Sequence, residues 1–118
     1  MIQVKRAYAS PSSTDGTRIL AERLWPRGLS KENLRIDEWL KDVAPSSQLR
    51  KWFNHDPDRW PEFQRRYFAE LDARPDAWMH ILDVAKKGRV TLIFSSRDAE
   101  HNNVVALNSY LESKSKKQ

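Results

Sequence analysis

Val90-Thr91-Leu92-Ile93-Phe94 is a run of five residues in which apolar side chains do not alternate with polar ones. A strand of this kind is covered on both faces, as in the interior of a parallel sheet. Helical patterns lie on both sides of the run, and a polar turn that begins at Ser95 separates it from the second. The order predicts an α/β fold, a small three-layer sandwich with a mostly parallel sheet of about four strands flanked by helices.

The helices beside this strand are predicted from apolar residues three and four positions apart. The helix before the strand begins at Pro75-Asp76 and ends at Gly88, which is expected to adopt the left-handed conformation of a helix C-cap. Its inward residues are Trp78, Ile81, Leu82 and Ala85. The last helix has an inner stripe of Val104, Leu107 and Leu111, flanked by Val105 and Tyr110. Both helices are expected to pack on the sheet.

Further strands are predicted nearer the N-terminus. Ile2–Tyr8 alternates apolar and polar residues, and the turn-forming stretch Ala9–Gly16 separates it from a second strand, Thr17–Trp25. Ile36–Val43 fits either a helical stripe or a short strand ending at a proline, and we favour the strand. These strands complete the predicted sheet.

Helix caps mark three more helices in the first part of the chain. Ser30 caps a short turn within Leu29–Arg35. Ser46 or Ser47 caps a helix that runs to about Phe53 and buries Leu49, Trp52 and Phe53. Asp58 is the predicted N-cap of the next helix, with Pro61 at its third position. That helix carries the apolar stripe Trp60, Phe63, Tyr67, Phe68 and Leu71.

Length and composition exclude several classes of protein. The 118 residues suit one domain, predicted over residues 1–112 with a basic flexible tail at 113–118. There is no cysteine, which excludes disulfides and thiolate catalysis. Histidine spacing and the lack of a Gly-rich phosphate loop predict neither a metal nor a cofactor. With no membrane-length apolar segment and no signal-peptide core, a cytoplasmic protein is expected.

The net charge of +5 is unevenly distributed. Residues 1–53 carry ten Lys or Arg and six Asp or Glu, whereas residues 54–112 carry eight and ten. The remaining positive charge comes from Lys114, Lys116 and Lys117. A basic N-terminal half attracts phosphate or nucleic acid, although this excess is far below that of a histone.

Two polar turns follow predicted strands, at Trp25–Gly28 and at Ser95–Asn103. If the strands are parallel, both turns lie at the sheet edge where such folds bind ligands. The predicted anion-binding and stacking residues are Arg23, Trp25, Arg27, Arg97, and, from the neighbouring helix, Ser46 and Arg50. Ser95, Ser96 and Asn102 are further ligand-binding candidates.

His101 is the histidine placed for proton transfer at this edge, with Asp98 as its partner if chemistry occurs. The alternative is that Asp98 caps the last helix and His101 is merely exposed. Without such a cap, the first amides of that helix favour an anion. The residues alone do not decide between an enzyme and a binding protein.

Several motifs resemble the YeaO-like family of the domain of unknown function 488. They are Arg23-Leu24-Trp25-Pro26-Arg27-Gly28, Trp39-Leu40-Lys41-Asp42-Val43-Ala44-Pro45-Ser46, Leu49-Arg50-Lys51-Trp52-Phe53-Asn54-His55-Asp56, Arg66-Tyr67 with Glu70-Leu71, and Leu92–Asn102. The resemblance covers nearly the whole chain and implies an α/β fold and a bacterial cytosolic setting. It implies no activity.

The chain departs from that family at the predicted edge. Glu22 stands where the family more often has Asp, and Asn103-Val104 stands where His-Ala is common. Ser95 and Asn102 fall near cysteines of longer, more distant relatives. Any thiol chemistry of those relatives is therefore absent from this chain.

Three functions fit these observations. The first is binding of an anionic small molecule, such as a nucleotide or a phosphorylated metabolite, at the sheet edge. The second is a protein-interaction or structural domain with Trp25 as an interface anchor. The third is nucleic-acid binding by the basic N-terminal half and the lysine tail. The first is favoured.

Overall fold

The structure, a computed structural model, describes residues 1–116 and the side chains of residues 1–115. In this part of the chain four strands form one parallel sheet in the order β1-β4-β2-β3. They are β1 (Ile2–Arg6), β2 (Thr17–Leu20), β3 (Glu38–Trp39) and β4 (Val90–Phe94). The predicted α/β class and parallel four-stranded sheet are confirmed.

Strand β4 lies in the interior of the sheet, between β1 and β2. Leu92 pairs with Val4 on one side and with Ile19 on the other. All residues from Val90 to Phe94 are buried. The apolar run therefore lacks alternation because each of its faces is covered.

One face of the sheet packs against four helices. They are α2 (Ser47–Phe53), α3 (Trp60–Asp72), α4 (Pro75–Lys87) and α5 (Asn103–Lys116). Their buried residues join the sheet residues Ile19, Val90, Leu92 and Phe94 in the main core. The predicted stripes of these helices are its principal contributors, with Tyr67 and Phe63 among the largest fully buried side chains.

The opposite face has a thinner cover. Leu20 and Ile93, which follow Ile19 and Leu92 in their strands, pack there with Leu34 of the single-turn helix α1 (Lys31–Leu34). Strand neighbours point to opposite faces, which explains the two separate cores. The three layers are thus unequal, with one helical turn and loops on this side.

A buried ion pair lies beneath this thinner layer, and we call it the Asp15 corner. Asp15 accepts hydrogen bonds from Lys5 at 3.1 Å and from Arg18 Nη1 at 2.6 Å. Arg18 also donates to the carbonyls of Leu34 and Arg35, the last residues of the α1 turn. Asp15 itself ends a 3₁₀ turn inside the predicted loop. The corner ties that loop and α1 to the sheet.

Two strands are shorter than predicted. β1 ends at Arg6 and β2 ends at Leu20, not at Tyr8 and Trp25. The ladder between β2 and β3 ends with the Leu40 amide donating to the Leu20 carbonyl. Beyond this ladder, the backbone carbonyl of Glu22 accepts a hydrogen bond from the indole N–H of Trp39. This bond turns Glu22 out of the sheet.

The ambiguous segment Ile36–Val43 is a strand only at Glu38–Trp39. A 3₁₀ turn, Lys41–Val43, follows it directly. The strand preference is confirmed for two residues and wrong for the rest, because β2 offers no further partner after Leu20.

The predicted caps are partly confirmed. Ser30 and Ser46 accept hydrogen bonds from the amides of Asn33 and Leu49, as N-caps do. Asp58 is not an N-cap. Asp56 instead caps the 3₁₀ turn Pro57–Arg59, and α3 begins after that turn.

The helix ends also differ in detail. Gly88 ends α4 with a φ of 169°, which is extended backbone and not the predicted left-handed stop, because the chain passes straight into β4. Helix α5 continues through Lys116, into the segment predicted as a tail, and Lys117 and Gln118 lie outside the described residues. None of the described helices is long and apolar enough to cross a membrane.

Candidate functional site

A cavity of about 330 Å³ opens at the carboxyl ends of β2 and β4. Ligands of parallel sheets bind at this edge, and the volume suits a small molecule. Its walls come from the segments after β2 and β4, from α2 with the loop after it, from α3 and from the start of α5. The lining residues are Glu22, Arg23, Leu24, Ala44, Pro45, Arg50, Lys51, Phe53, Asn54, His55, Phe63, Ser95, Ser96, His101, Asn102 and Asn103.

Glu22 joins the two strand ends at this cavity. Its Oε1 atom accepts a hydrogen bond from the Ser95 amide at 2.9 Å and another from the Ser95 hydroxyl at 2.8 Å. Burial raises the pKa of the Glu22 carboxyl, although the bonds from Ser95 and the positive charge of Arg50 oppose that shift. The cavity therefore holds a carboxylate whose ionised form is destabilised by its surroundings.

The other charged side chains of the cavity wall are basic. Its basic side chains are Arg23, Arg50 and Lys51, and Glu22 is the one acid among the described residues that line it. The Nε atom of Arg23 donates to the carbonyl of Pro45 at 3.2 Å, which fixes the guanidinium in place. An arrangement with three cations and one acid favours an anionic ligand.

His101 lines the cavity and is oriented by Asp98. Its Nδ1 atom lies 2.9 Å from Asp98 Oδ2, and its ring packs edge-on against Trp60 with centroids 5.4 Å apart. The amides of Glu100 and His101 donate to the other Asp98 oxygen, and they are the main cause of its lowered pKa. Because Asp98 is ionised, it favours the tautomer that carries the proton on Nδ1 and leaves Nε2 as an acceptor.

Helix α5 starts with an asparagine cap. Asn102 Oδ1 accepts from the amides of Val104 and Val105, while its Nδ2 atom donates to the Asp98 carbonyl. Asp98 is therefore not the cap of this helix. The predicted anion site on its first amides is wrong too, because Asn102 already occupies them.

Comparison with known proteins identifies the family. The model of the inactive DUF488-N3 subclade matches residues 1–118. The chain belongs to the YeaO-like DUF488 family. It is 39% identical over 112 residues to the uncharacterized protein YeaO of Escherichia coli strain K12, covering 95% of this chain and 97% of that one. It is 46% identical over 70 residues, 59% of each chain, to the uncharacterized protein Rv3073c of Mycobacterium tuberculosis strain H37Rv. No solved structure matches.

Six of the predicted site residues of this DUF488 chain meet at the cavity. They are Arg23, Arg50, Ser95, Ser96, His101 and Asn102. The predicted meeting of the Trp25–Gly28 and Ser95–Asn103 turns at one cavity is wrong, because the segment that lines the cavity beside Ser95 is Glu22–Leu24, before the first turn. Asp98 reaches the cavity only through its bond to His101.

Trp25 and Arg27 are not among the lining residues. Trp25 is half-buried and packs edge-on against Trp39 with centroids 5.4 Å apart. Its indole N–H donates to the Leu29 carbonyl at 2.6 Å. Arg27 is exposed. Because β2 ends early, the Trp25–Gly28 turn lies beyond the sheet edge.

Ser46 and Arg97 also do not line the cavity. The Ser46 hydroxyl donates to Glu70 at 2.7 Å and accepts from the Leu49 amide at 3.1 Å. Ser46 therefore serves to start α2 and to join it to α3. Arg97 is exposed.

The sequence analysis missed five polar residues of the cavity wall, namely Glu22, Lys51, Asn54, His55 and Asn103. A carboxylate inside an apolar run was the available indication for Glu22, since it needs a partner there. Asn54 and His55 take consecutive left-handed conformations, with φ of 47° and 54°. Asparagine and histidine adopt positive φ more often than most other non-glycine residues, and Asn54 ends α2 as its C-cap, so these two residue types were the available indication.

We expect Glu22→Gln to raise the free energy of unfolding by roughly 1 kcal/mol at pH 7 and by less at pH 4. The raised pKa of Glu22 means that the ionised carboxyl costs stability. That cost is absent at pH values below the pKa of Glu22 in the unfolded chain, and it grows as pH rises through the pKa of Glu22 in the folded protein. Glutamine keeps an acceptor for Ser95 without the charge.

Urea denaturation at both pH values measures this difference. Glu112→Gln, on the exposed surface of α5, is the matched control and is expected to change little at either pH. Equal effects of Glu22→Gln at pH 4 and pH 7 would contradict the role of burial.

Proposed function

We propose that this protein binds a small anionic ligand, a nucleotide or a phosphorylated metabolite, in the cavity at the carboxyl edge of its sheet. The observation that carries the proposal is the convergence of Arg23, Arg50 and Lys51 on one concave surface. Arginine suits a phosphate because its planar guanidinium donates two parallel hydrogen bonds. We expect the protein to act in the cytoplasm.

Arg23 and Arg50 are the main anion contacts in this proposal. Arg23 uses only Nε for the Pro45 carbonyl, so its terminal nitrogens are available to a ligand. The exposed guanidinium of Arg50 forms no hydrogen bond or ion pair with any described residue, although it lies near enough to Glu22 to influence its pKa. Its guanidinium is therefore free to turn toward a bound anion.

Ser96 and His101 add neutral contacts. The Ser96 oxygen accepts from the Asp98 amide at 3.2 Å, which leaves its hydroxyl proton for a ligand. His101 offers its Nε2 atom as an acceptor for a hydroxyl group of the ligand, since Asp98 holds the other ring nitrogen. Asn102 shapes the wall, because both ends of its amide already have partners.

The proposed role is binding without turnover. The description of the matching family model, which calls the subclade inactive, supports this choice. The sequence also contains no cysteine, so a thiol nucleophile is absent. In this role Asp98 orients His101 as a hydrogen-bonding group and is not part of a proton relay.

Removal of the two arginines should weaken ligand binding strongly. In calorimetry with AMP and ribose 5-phosphate, we expect Arg50→Ala to weaken binding about tenfold and the Arg23→Ala/Arg50→Ala double variant about 100-fold. Each arginine contributes charge-assisted hydrogen bonds to the phosphate.

Arg27→Ala and Arg97→Ala are the matched controls, since both arginines are exposed and lie outside the cavity wall. They carry the same charge change and should leave the dissociation constant within about twofold. Binding that survives the double variant but is lost in the controls would place the anion site elsewhere.

A further inference from the structure

We infer that the ligand carries an amino group in addition to its anionic group, and that Glu22 receives this amine. The inference rests on the proposed function, because it concerns the same cavity. The ligand class it names is a zwitterion of the aminoalkyl phosphate type, with its phosphate near Arg50 and its ammonium near Glu22.

The two oxygens of Glu22 have different surroundings. Oε1 accepts two hydrogen bonds, both from Ser95. Oε2 accepts none from the described part of the chain, and no described basic nitrogen lies within 4.0 Å of the carboxylate. Here Ser95 holds one oxygen in place and leaves the other as a free acceptor.

The charges of the cavity are separated and not paired with each other. Arg50 and Glu22 line the same cavity, and Arg50 exerts an electrostatic effect on Glu22, yet the two form no ion pair. A purely anionic ligand would satisfy the arginines but would be repelled by Glu22. A zwitterion is complementary to both groups, and such complementarity gives specificity.

A donor with a full positive charge fits this acceptor better than a hydroxyl does. Hydrogen bonds between an ammonium and a carboxylate are roughly twice as strong as those between neutral groups. Protonated amines also relieve the destabilisation that burial imposes on the ionised carboxyl. A metal ion is a weaker candidate, since no group of three metal-ligating side chains is present in the described residues.

Two probes that differ in one group test the inference. 2-Aminoethyl phosphate carries the amine, whereas ethyl phosphate has the same phosphate and no amine. By calorimetry at pH 7.5, we expect the wild-type protein to bind 2-aminoethyl phosphate at least about tenfold more tightly than ethyl phosphate. Glu22→Gln should reduce this ratio to about one without weakening ethyl phosphate, whereas the control Glu112→Gln should preserve it.

The outcomes separate this inference from the proposed function. Equal affinity of the wild-type protein for both probes, or a preference for ethyl phosphate, would overturn the inference, while ethyl phosphate binding that depends on Arg50 would uphold the anion site. If neither probe binds, both the anion site and the amine site are wrong. A preference for 2-aminoethyl phosphate that Glu22→Gln leaves unchanged would also overturn the inference, because another group would then receive the amine.

Discussion

Replacement of Gly16 by alanine is expected to lower the free energy of unfolding by about 4 kcal/mol. Gly16 has a φ of +67°, and a Cβ atom there would lie 2.2 Å from the backbone oxygen of Arg89. The same oxygen accepts the Thr17 amide at 2.9 Å, where β2 begins. Since the nearest atom is a backbone oxygen that is hydrogen-bonded to the strand, the overlap can be relieved only by moving the start of the strand.

The other two glycines are the matched controls. Gly28 also has a positive φ, of +82°, but nothing lies within 4 Å of an added Cβ, so Gly28→Ala should cost only about 1 kcal/mol. Gly88 is extended and faces open space, so Gly88→Ala should have almost no effect. Urea denaturation followed by tryptophan fluorescence measures all three. A loss at Gly16 no larger than that at Gly28 would disprove the close approach.

Asp15→Ala is expected to have an effect of similar size and to lower the free energy of unfolding by about 4 kcal/mol at pH 7. Asp15 is 2% exposed and Arg18 is 5% exposed. Removal of the carboxylate leaves the guanidinium of Arg18 buried without its counter-charge. That penalty far exceeds the loss of a surface ion pair, which is worth at most about 1 kcal/mol.

The loss of stability caused by Asp15→Ala should be smaller at low pH. Burial by itself raises the pKa of Asp15, but the Ser12 amide, Lys5 and Arg18 outweigh it and leave the pKa below its ordinary value of 3.8. The stabilisation by Asp15 is therefore present at pH values above its pKa in the unfolded chain, and it disappears as pH falls through its pKa in the folded protein. Asp83→Ala, which removes an exposed carboxylate on α4, is the control and should change stability by less than about 0.5 kcal/mol. A loss for Asp15→Ala that is unchanged at low pH would contradict this explanation.

The class of fold was predictable because one stretch carried an unambiguous pattern. Val90–Phe94 has no polar alternation, and the helices around it have apolar residues at helical spacing, so a covered parallel strand was the consistent interpretation. The end of β2 was not predictable. Apolar residues continue to Trp25, and only tertiary hydrogen bonds of Glu22 and Trp39 show that the chain leaves the sheet after Leu20.

The edge of the sheet on which the cavity lies was predictable from the parallel topology, and residues such as Ser95 and His101 followed from it. The cavity residues that come from α2 and the loop after it were harder to predict. Arg50 was predicted as a neighbour, but Lys51 and His55 depend on the angle at which α2 meets the sheet and on a left-handed turn after it. The angle has no local signature in the residues, whereas the left-handed turn has one, because asparagine and histidine adopt positive φ more often than most other non-glycine residues.

The interior position of β4 has a consequence for biosynthesis. β1 and β2 make no pairing with each other, and each is hydrogen-bonded to β4, which follows β1–β3 and α1–α4 in the sequence. While the ribosome is still making residues before Val90, the two early strands have unpaired edges and nothing to join them. The three-stranded part of the sheet can assemble only after β4 has been synthesised, so its folding depends on contacts between residues far apart in the sequence.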